Sequence, residues 1–219
     1  MVIKGINFKK NSALEAYYND YFMKLGLSKE LSTLDVGCGW GFSSAYFNGR
    51  FLGTEFDRNK ISWAKDVYPE KDFRFSDITK DQLDKKYDQC LSLTVLDEIE
   101  DKDVALRNII SSLNQGAKIY IEVRNYNFLV RELTRYFKLD VYHARKLELK
   151  GLKDVDLTFN EYLELFRKSG LRLEKVYKAQ RPLISSSYTE FIKKLIYNFI
   201  DKTVSHEKAF MLGFVLIKE

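Results

Sequence analysis

The sequence has little of what many functional classes need. Its 219 residues hold 2 cysteines, 2 histidines and 2 prolines. Cys38 and Cys90 are too few for a disulfide framework or a cysteine-rich zinc site. The longest apolar run, Ala209 to Ile217, is nine residues even counting Gly213, whereas a membrane-spanning helix needs about 20. The first ten residues contain no apolar core of the signal-peptide kind. There is no internal repeat, low-complexity tract or interdomain linker, and no block of five or six basic residues of the kind a nucleic-acid arm carries. What is present is ordinary globular composition, 45% apolar and 31% charged, which excludes a disordered chain. The expectation is one soluble, cytoplasmic domain.

The net charge of +5 is unevenly placed. Residues 1–125 hold 18 basic and 19 acidic side chains, and residues 126–219 hold 18 and 12. The surplus reads first as a lysine-rich solvated surface and second as an attraction for an anionic partner.

Helix and strand signals alternate along the chain. Ser12 to Glu15 reads as a capping box, followed by Leu14, Tyr17, Tyr18, Tyr21, Phe22 and Leu25 at helical spacing and a stop at Gly26. Strands are expected at 31–36, 51–56, 72–75, 90–96 and 117–123. Helices are expected from Gly41, after a cap at Asp57, and from Asp101 to Asn114. Downstream, helices are expected at 128–137, after a second capping box at Thr158 to Glu161, and at 188–202. The last two strands are expected at 171–177 and 210–217. Near-continuous apolar strands alternating with helices indicate an α/β fold with a parallel sheet covered on both faces.

The segment Leu34-Asp35-Val36-Gly37-Cys38-Gly39-Trp40-Gly41 lies between a strand and a helix signal. Such glycines let a backbone turn tightly and approach a ligand. A dinucleotide fingerprint needs its third glycine where this chain has Phe42, which argues against a nicotinamide-dependent reductase. Glu55 ends the second strand, where an acid can accept two hydrogen bonds from a ribose diol. Asp77 follows the third strand and can accept from an adenine amine, with Ile78 against the ring. Each acid alone reads first as a turn residue or helix cap. Three such features at three successive strand ends are harder to obtain by chance.

On these motifs the chain resembles the class I S-adenosylmethionine (SAM) dependent methyltransferases. The specific resemblance covers about residues 31–125. It implies a Rossmann-like, seven-stranded, mostly parallel sheet with its last strand antiparallel. It also implies an N-terminal helical cap over residues 1–30 and variable acceptor-side segments over 126–170 and 178–207. SAM is the implied cofactor, held by Asp35, Gly37, Cys38, Gly39, Glu55, Phe56, Asp77, Ile78 and Thr94. Gln115-Gly116-Ala117 stands where the family has Pro-Gly-Gly, a change confined to a turn. Leu93 to Glu98 lacks the Asn/Asp-Pro-Pro-Tyr motif of DNA amino-methylating enzymes, which argues against that class and against a nucleic-acid acceptor. The downstream layout is similar to methyltransferases of sugars and small metabolites. Those carry a histidine where this chain reads Val155 to Thr158.

SAM chemistry asks for positioning more than for side-chain chemistry, and it needs no metal. A hydroxyl acceptor also benefits from a general base. Asp97 and His143 are the candidates, with Arg124 and Tyr17 as substrate-contacting residues. The bland alternatives are a helix-terminal acid for Asp97, a surface position for His143, a local ion pair for Arg124 and a core stripe for Tyr17 and Tyr18. His206 reads as structural. The expected activity is methyl transfer to a small-molecule or glycan acceptor at oxygen. N-methylation of protein or RNA and a SAM-binding subunit without turnover are the alternatives.

Overall fold

Seven strands form a single sheet in the order β3 (Asp72–Phe75), β2 (Phe51–Glu55), β1 (Thr33–Val36), β4 (Tyr87–Leu93), β5 (Leu113–Arg124), β7 (Met211–Lys218) and β6 (Leu171–Lys178). The computed structural model describes residues 12–124, 157–179, 205, 209 and 211–219. The helices expected at 128–137 and 188–202, together with His143, His206, Val155 and Asp156, lie outside the described residues.

Helix α1 (Ser12–Leu25) precedes β1 (Thr33–Val36), and β2 (Phe51–Glu55) leads into α2 (Arg58–Val67). Asp57 caps α2 as expected, accepting from the Asn59 and Lys60 N–H groups. Strand β3 (Asp72–Phe75) has the expected bounds. Next come β4 (Tyr87–Leu93), α3 (Lys102–Ser111) and β5 (Leu113–Arg124). The described remainder is α4 (Phe159–Lys168), β6 (Leu171–Lys178) and β7 (Met211–Lys218). β1 to β5 pair in parallel, and β7 runs antiparallel to both β5 and β6. This is the sheet that the motifs imply.

Apolar side chains pack on both faces. α3 and α4 cover one face through Leu106, Ile109, Tyr162 and Phe166. α1 and α2 cover the other through Tyr21, Phe22, Ile61 and Ala64. The capping box of α4 is complete: Thr158 Oγ1 accepts from the Glu161 N–H at 3.4 Å, and the Glu161 carboxylate accepts from the Thr158 N–H at 2.7 Å. Thr158→Ala is expected to cost about 1 kcal/mol, read as a lower urea midpoint with an unchanged slope. Among the described residues no helix is long and apolar enough to cross a membrane.

Several elements differ from the sequence reading, β5 starting four residues earlier than expected and β1 two later. The helix expected from Gly41 is a 3-10 helix over Phe42–Tyr46. Its serines bond locally, Ser44 Oγ to the Gly41 carbonyl and Ser43 Oγ to Asp35, which competes with helix extension. β4 lies three residues earlier than expected because Thr94, at φ 59, breaks the strand. α3 stops at Ser111 because Leu113 already pairs with Tyr87 in the sheet.

Candidate cofactor and active site

The strand order turns back between β1 and β4, and an open α/β sheet holds its ligands in the crevice at such a reversal. A cavity of about 680 Å³ opens there, in the size range of small-molecule sites. Asp35, Gly37, Cys38, Gly39, Glu55, Phe56, Asp77, Ile78 and Thr94 all line it. Three separate motifs therefore converge on one space.

The glycine turn is fixed by β2. The Gly37 and Cys38 N–H groups both donate to the Thr54 carbonyl, at 2.7 and 3.0 Å. Gly37 has φ 74, and a Cβ there would stand 2.1 Å from Val95 Cγ2. Gly39 has φ 56, and a Cβ there would meet nothing within 4 Å. One glycine is thus demanded by the protein's own packing, and the other borders open cavity. The Glu55 carboxylate ties the turn to β2, accepting from Gly39 N–H at 3.0 Å, Phe56 N–H at 2.8 Å and Asp57 N–H at 3.0 Å. Lys60 stands 3.8 Å away. A carboxylate offers about four acceptor positions, so Glu55 retains capacity for a ligand hydroxyl.

Asp77 accepts from the Thr79 N–H and hydroxyl at 3.1 and 2.6 Å and pairs with Lys80 at 2.9 Å. These contacts, the Thr79 hydroxyl bond first, hold its carboxyl below the ordinary range. The turn role and the cavity position coexist in this residue. Phe56 is 66% exposed and stacks on Phe75 at 5.7 Å, presenting a free aromatic face at the cavity rim. Thr94 is a β-branched residue with positive φ, a rare and costly conformation that clusters at functional sites. It is held by a bond from its N–H to the Glu122 carbonyl at 2.8 Å.

Asp35 is buried and accepts from Ser43 Oγ. Burial pushes its carboxyl up to about 7, opposed by the Ser43 bond and reinforced by the nearby Glu55 charge. Between the ordinary carboxylate value and about 7, the folded state binds a proton that the unfolded chain has lost. Stability is therefore expected to fall as pH rises from about 4 to about 7 and to level above that. Urea midpoints at pH 5 and pH 7.5 check this, and Asp35→Asn is expected to reduce the difference.

The acceptor-side candidates separate. Tyr18 lines the cavity, whereas Tyr17 stacks on Tyr21 at 5.4 Å and does not line it. Asp97 is 2% exposed and bonds through Oδ2 to Arg124 Nε. Arg124 also reaches Glu98 Oε1 at 2.8 Å. Burial raises the Asp97 carboxyl, and Arg124 opposes that rise. This pair ties the end of β4 to the end of β5, and of the three only Glu98 lines the cavity. Sequence reasoning gave no role to Lys60 or Ser43 in the site, nor to Glu122, a lone acid in an apolar strand.

Residues 34–121 match the family model described as a methyltransferase domain. The chain carries a Rossmann-like fold whose last strand runs antiparallel between its neighbours. It is 31% identical over 121 residues to "Putative methyltransferase 235L" of Invertebrate iridescent virus 6, a stretch that spans 52% of this chain and 46% of that protein. The match thus covers about half the length of that relative. Among solved structures, a TehB-like SAM-dependent methyltransferase from Corynebacterium glutamicum superposes with a TM-score of 0.62 at 19% identity, over 92% of this chain and 88% of its own. Magnesium protoporphyrin IX methyltransferase from Synechocystis, solved with bound SAH (the demethylated product of SAM), superposes with a TM-score of 0.60 at 12% identity, over 98% and 89%. At these identities the structural likeness speaks for the fold.

Proposed function

We propose that this chain is a SAM-dependent methyltransferase acting on a small-molecule or sugar-type acceptor at oxygen. The carrying observation is that the glycine turn, Glu55 and the Ser76-Asp77-Ile78 segment border one cavity at the sheet reversal. The methyltransferase-domain match over residues 34–121 and the methyltransferase-named relative support the same reading. The donor set fits SAM. Glu55 takes a ribose hydroxyl, Asp77 the adenine amine, and Ile78 and Phe56 the ring faces. Gly39 leaves room for the cofactor backbone, and Asp35 and Thr94 face the methionine end. Bound SAM supplies a methyl group already activated by the sulfonium charge.

What the protein contributes is position and exclusion of water. Tyr18, Val95 and Ile99 close the cavity with largely apolar surface. Asp97 and Arg124 neutralise each other. Their geometry suits a strut that holds Glu98 at the cavity wall better than a free base and a free substrate clamp. His143 remains the other candidate base. The pairing of Asp97 Oδ2 with Arg124 also favours the second reading, a SAM-binding chain with little turnover. SAH release in the presence of SAM and a panel of hydroxy compounds, sugars, peptides and RNA separates the readings. Release with hydroxyl acceptors is expected. Release with peptide or RNA alone replaces the acceptor class, and none with any acceptor favours the second reading.

A further inference from the structure

Helix α1 is fastened to the sheet through one buried carboxylate. Glu122 of β5 pairs in register with Gly213 of β7, and Gly213 with Tyr177 of β6. The three residues form a row across three strands. A Cβ on Gly213 would lie 2.2 Å from the Tyr177 ring, so the missing side chain is what lets that phenol cross β7. Tyr177 then donates its hydroxyl to Glu122 Oε1 at 3.0 Å. Tyr21 of α1 donates to the same oxygen. Glu122 is 5% exposed.

Tyr18 lies one turn before Tyr21 on α1, so the two share a helix face. Tyr18 lines the cavity, and its phenol is held above the ordinary range by burial first, then by Asp35 and by Glu122. What fixes Tyr21 therefore fixes Tyr18. The same strand residue reaches the site a second way, because the Glu122 carbonyl holds the Thr94 N–H.

We propose that Glu122 is a positioning residue of the cofactor cavity: by accepting both the Tyr21 and Tyr177 phenols it pins α1 to the sheet and holds Tyr18 as the cavity wall. The proposal rests on the cofactor reading above only for what fills the cavity.

The pin is proton-linked. Among the described residues phenols face Glu122, Tyr17, Tyr18 and Tyr21 from α1 and Tyr177 from β6, while β7 presents Gly213. Burial pushes the Glu122 carboxyl up to about 7, against the two phenol bonds that lower it. Releasing α1 would return Glu122 to water and to the ordinary carboxylate value. The pinned state thus holds the proton more tightly, and pinning weakens as pH rises through about 7.

Amide hydrogen exchange of α1 in the ligand-free chain, at pH 6 and 8.5 and corrected for intrinsic rates, tests this directly. In the natural chain α1 opening is expected to rise about tenfold or more between the two pH values. Glu122→Gln, neutral at both, is expected to remove that rise, whereas Tyr21→Phe opens α1 at both. The SAH dissociation constant, measured by calorimetry on the same proteins, is expected to rank in the same order. A purely structural role predicts no such loss of pH dependence. Equal α1 exchange in all three proteins overturns the proposal, as does an unchanged pH dependence in Glu122→Gln. If the natural chain binds no SAH but exchange behaves as expected, the pin stands and the cofactor reading falls.

Discussion

Gly37→Ala is expected to destabilise the protein by about 2–5 kcal/mol. Two separate penalties combine. An L-residue at φ 74 costs about 1–2 kcal/mol. The new Cβ would also stand 2.1 Å from Val95 Cγ2, and valine is stiff at χ1, so the neighbour cannot swing away. Overpacking of this kind costs about 1–3 kcal/mol. Urea unfolding reads the sum as a lower midpoint. The double variant Gly37→Ala, Val95→Ala is expected to recover the packing part and leave the backbone part. A single variant as stable as the natural chain would mean that the turn relaxes freely, and the description of it as rigid would be wrong.

Glu55→Ala is expected to weaken SAM binding by about 100-fold. Hydrogen bonds to a charged group contribute about 1.5–3 kcal/mol each. Glu55 already accepts the Gly39, Phe56 and Asp57 N–H groups, which leaves it one position for a ribose hydroxyl beside the turn that it shapes. Removing it deletes a ligand contact and frees the glycine segment together. Glu55→Gln keeps a carbonyl for Gly39 and loses the charge, so it is expected to fall between the two. Calorimetric titration with SAM checks the series. Affinity within twofold of the natural chain in Glu55→Ala would move the ribose elsewhere in the cavity.

These two positions were legible in the sequence because the chemistry there is restrictive. Only glycine satisfies both the positive φ and the contact with Val95 at position 37. An acid at the end of the second strand has few purposes once a glycine turn stands beside it. The sheet was legible for a similar reason, since buried parallel strands need long apolar runs and α4 announces itself through Thr158, Glu161 and Gly170. What escaped lacked a local signal. Adjacent tyrosines on α1 share one helical spacing, so the pattern could not say that Tyr18 rather than Tyr17 meets the cavity. The short 3-10 helix after the glycine turn depends on where Ser43 and Ser44 bond, which propensity does not reveal. Glu122 is a single acid in an apolar strand, and its importance arises from Tyr21 and Tyr177, 101 and 55 residues away in sequence. Asp97 and Arg124 were singled out separately as base and substrate ligand, and only the fold shows that they bind each other.

The cavity at the β1–β4 reversal is the proposed SAM site. Thermal unfolding with SAM, SAH or NAD, on the natural chain and on Gly39→Arg, tests it most directly. A Cβ at Gly39 meets nothing within 4 Å, so the arginine enters the cavity rather than the protein core. Ligand at about 100 times its dissociation constant stabilises the native state by about 2.7 kcal/mol. For a chain of this size that is a rise in Tm of about 5–10 °C. That rise is expected with SAM and SAH, none with NAD, and none with any ligand in a folded Gly39→Arg. A rise with NAD, or no rise with SAM and SAH in the natural chain, would contradict SAM binding there.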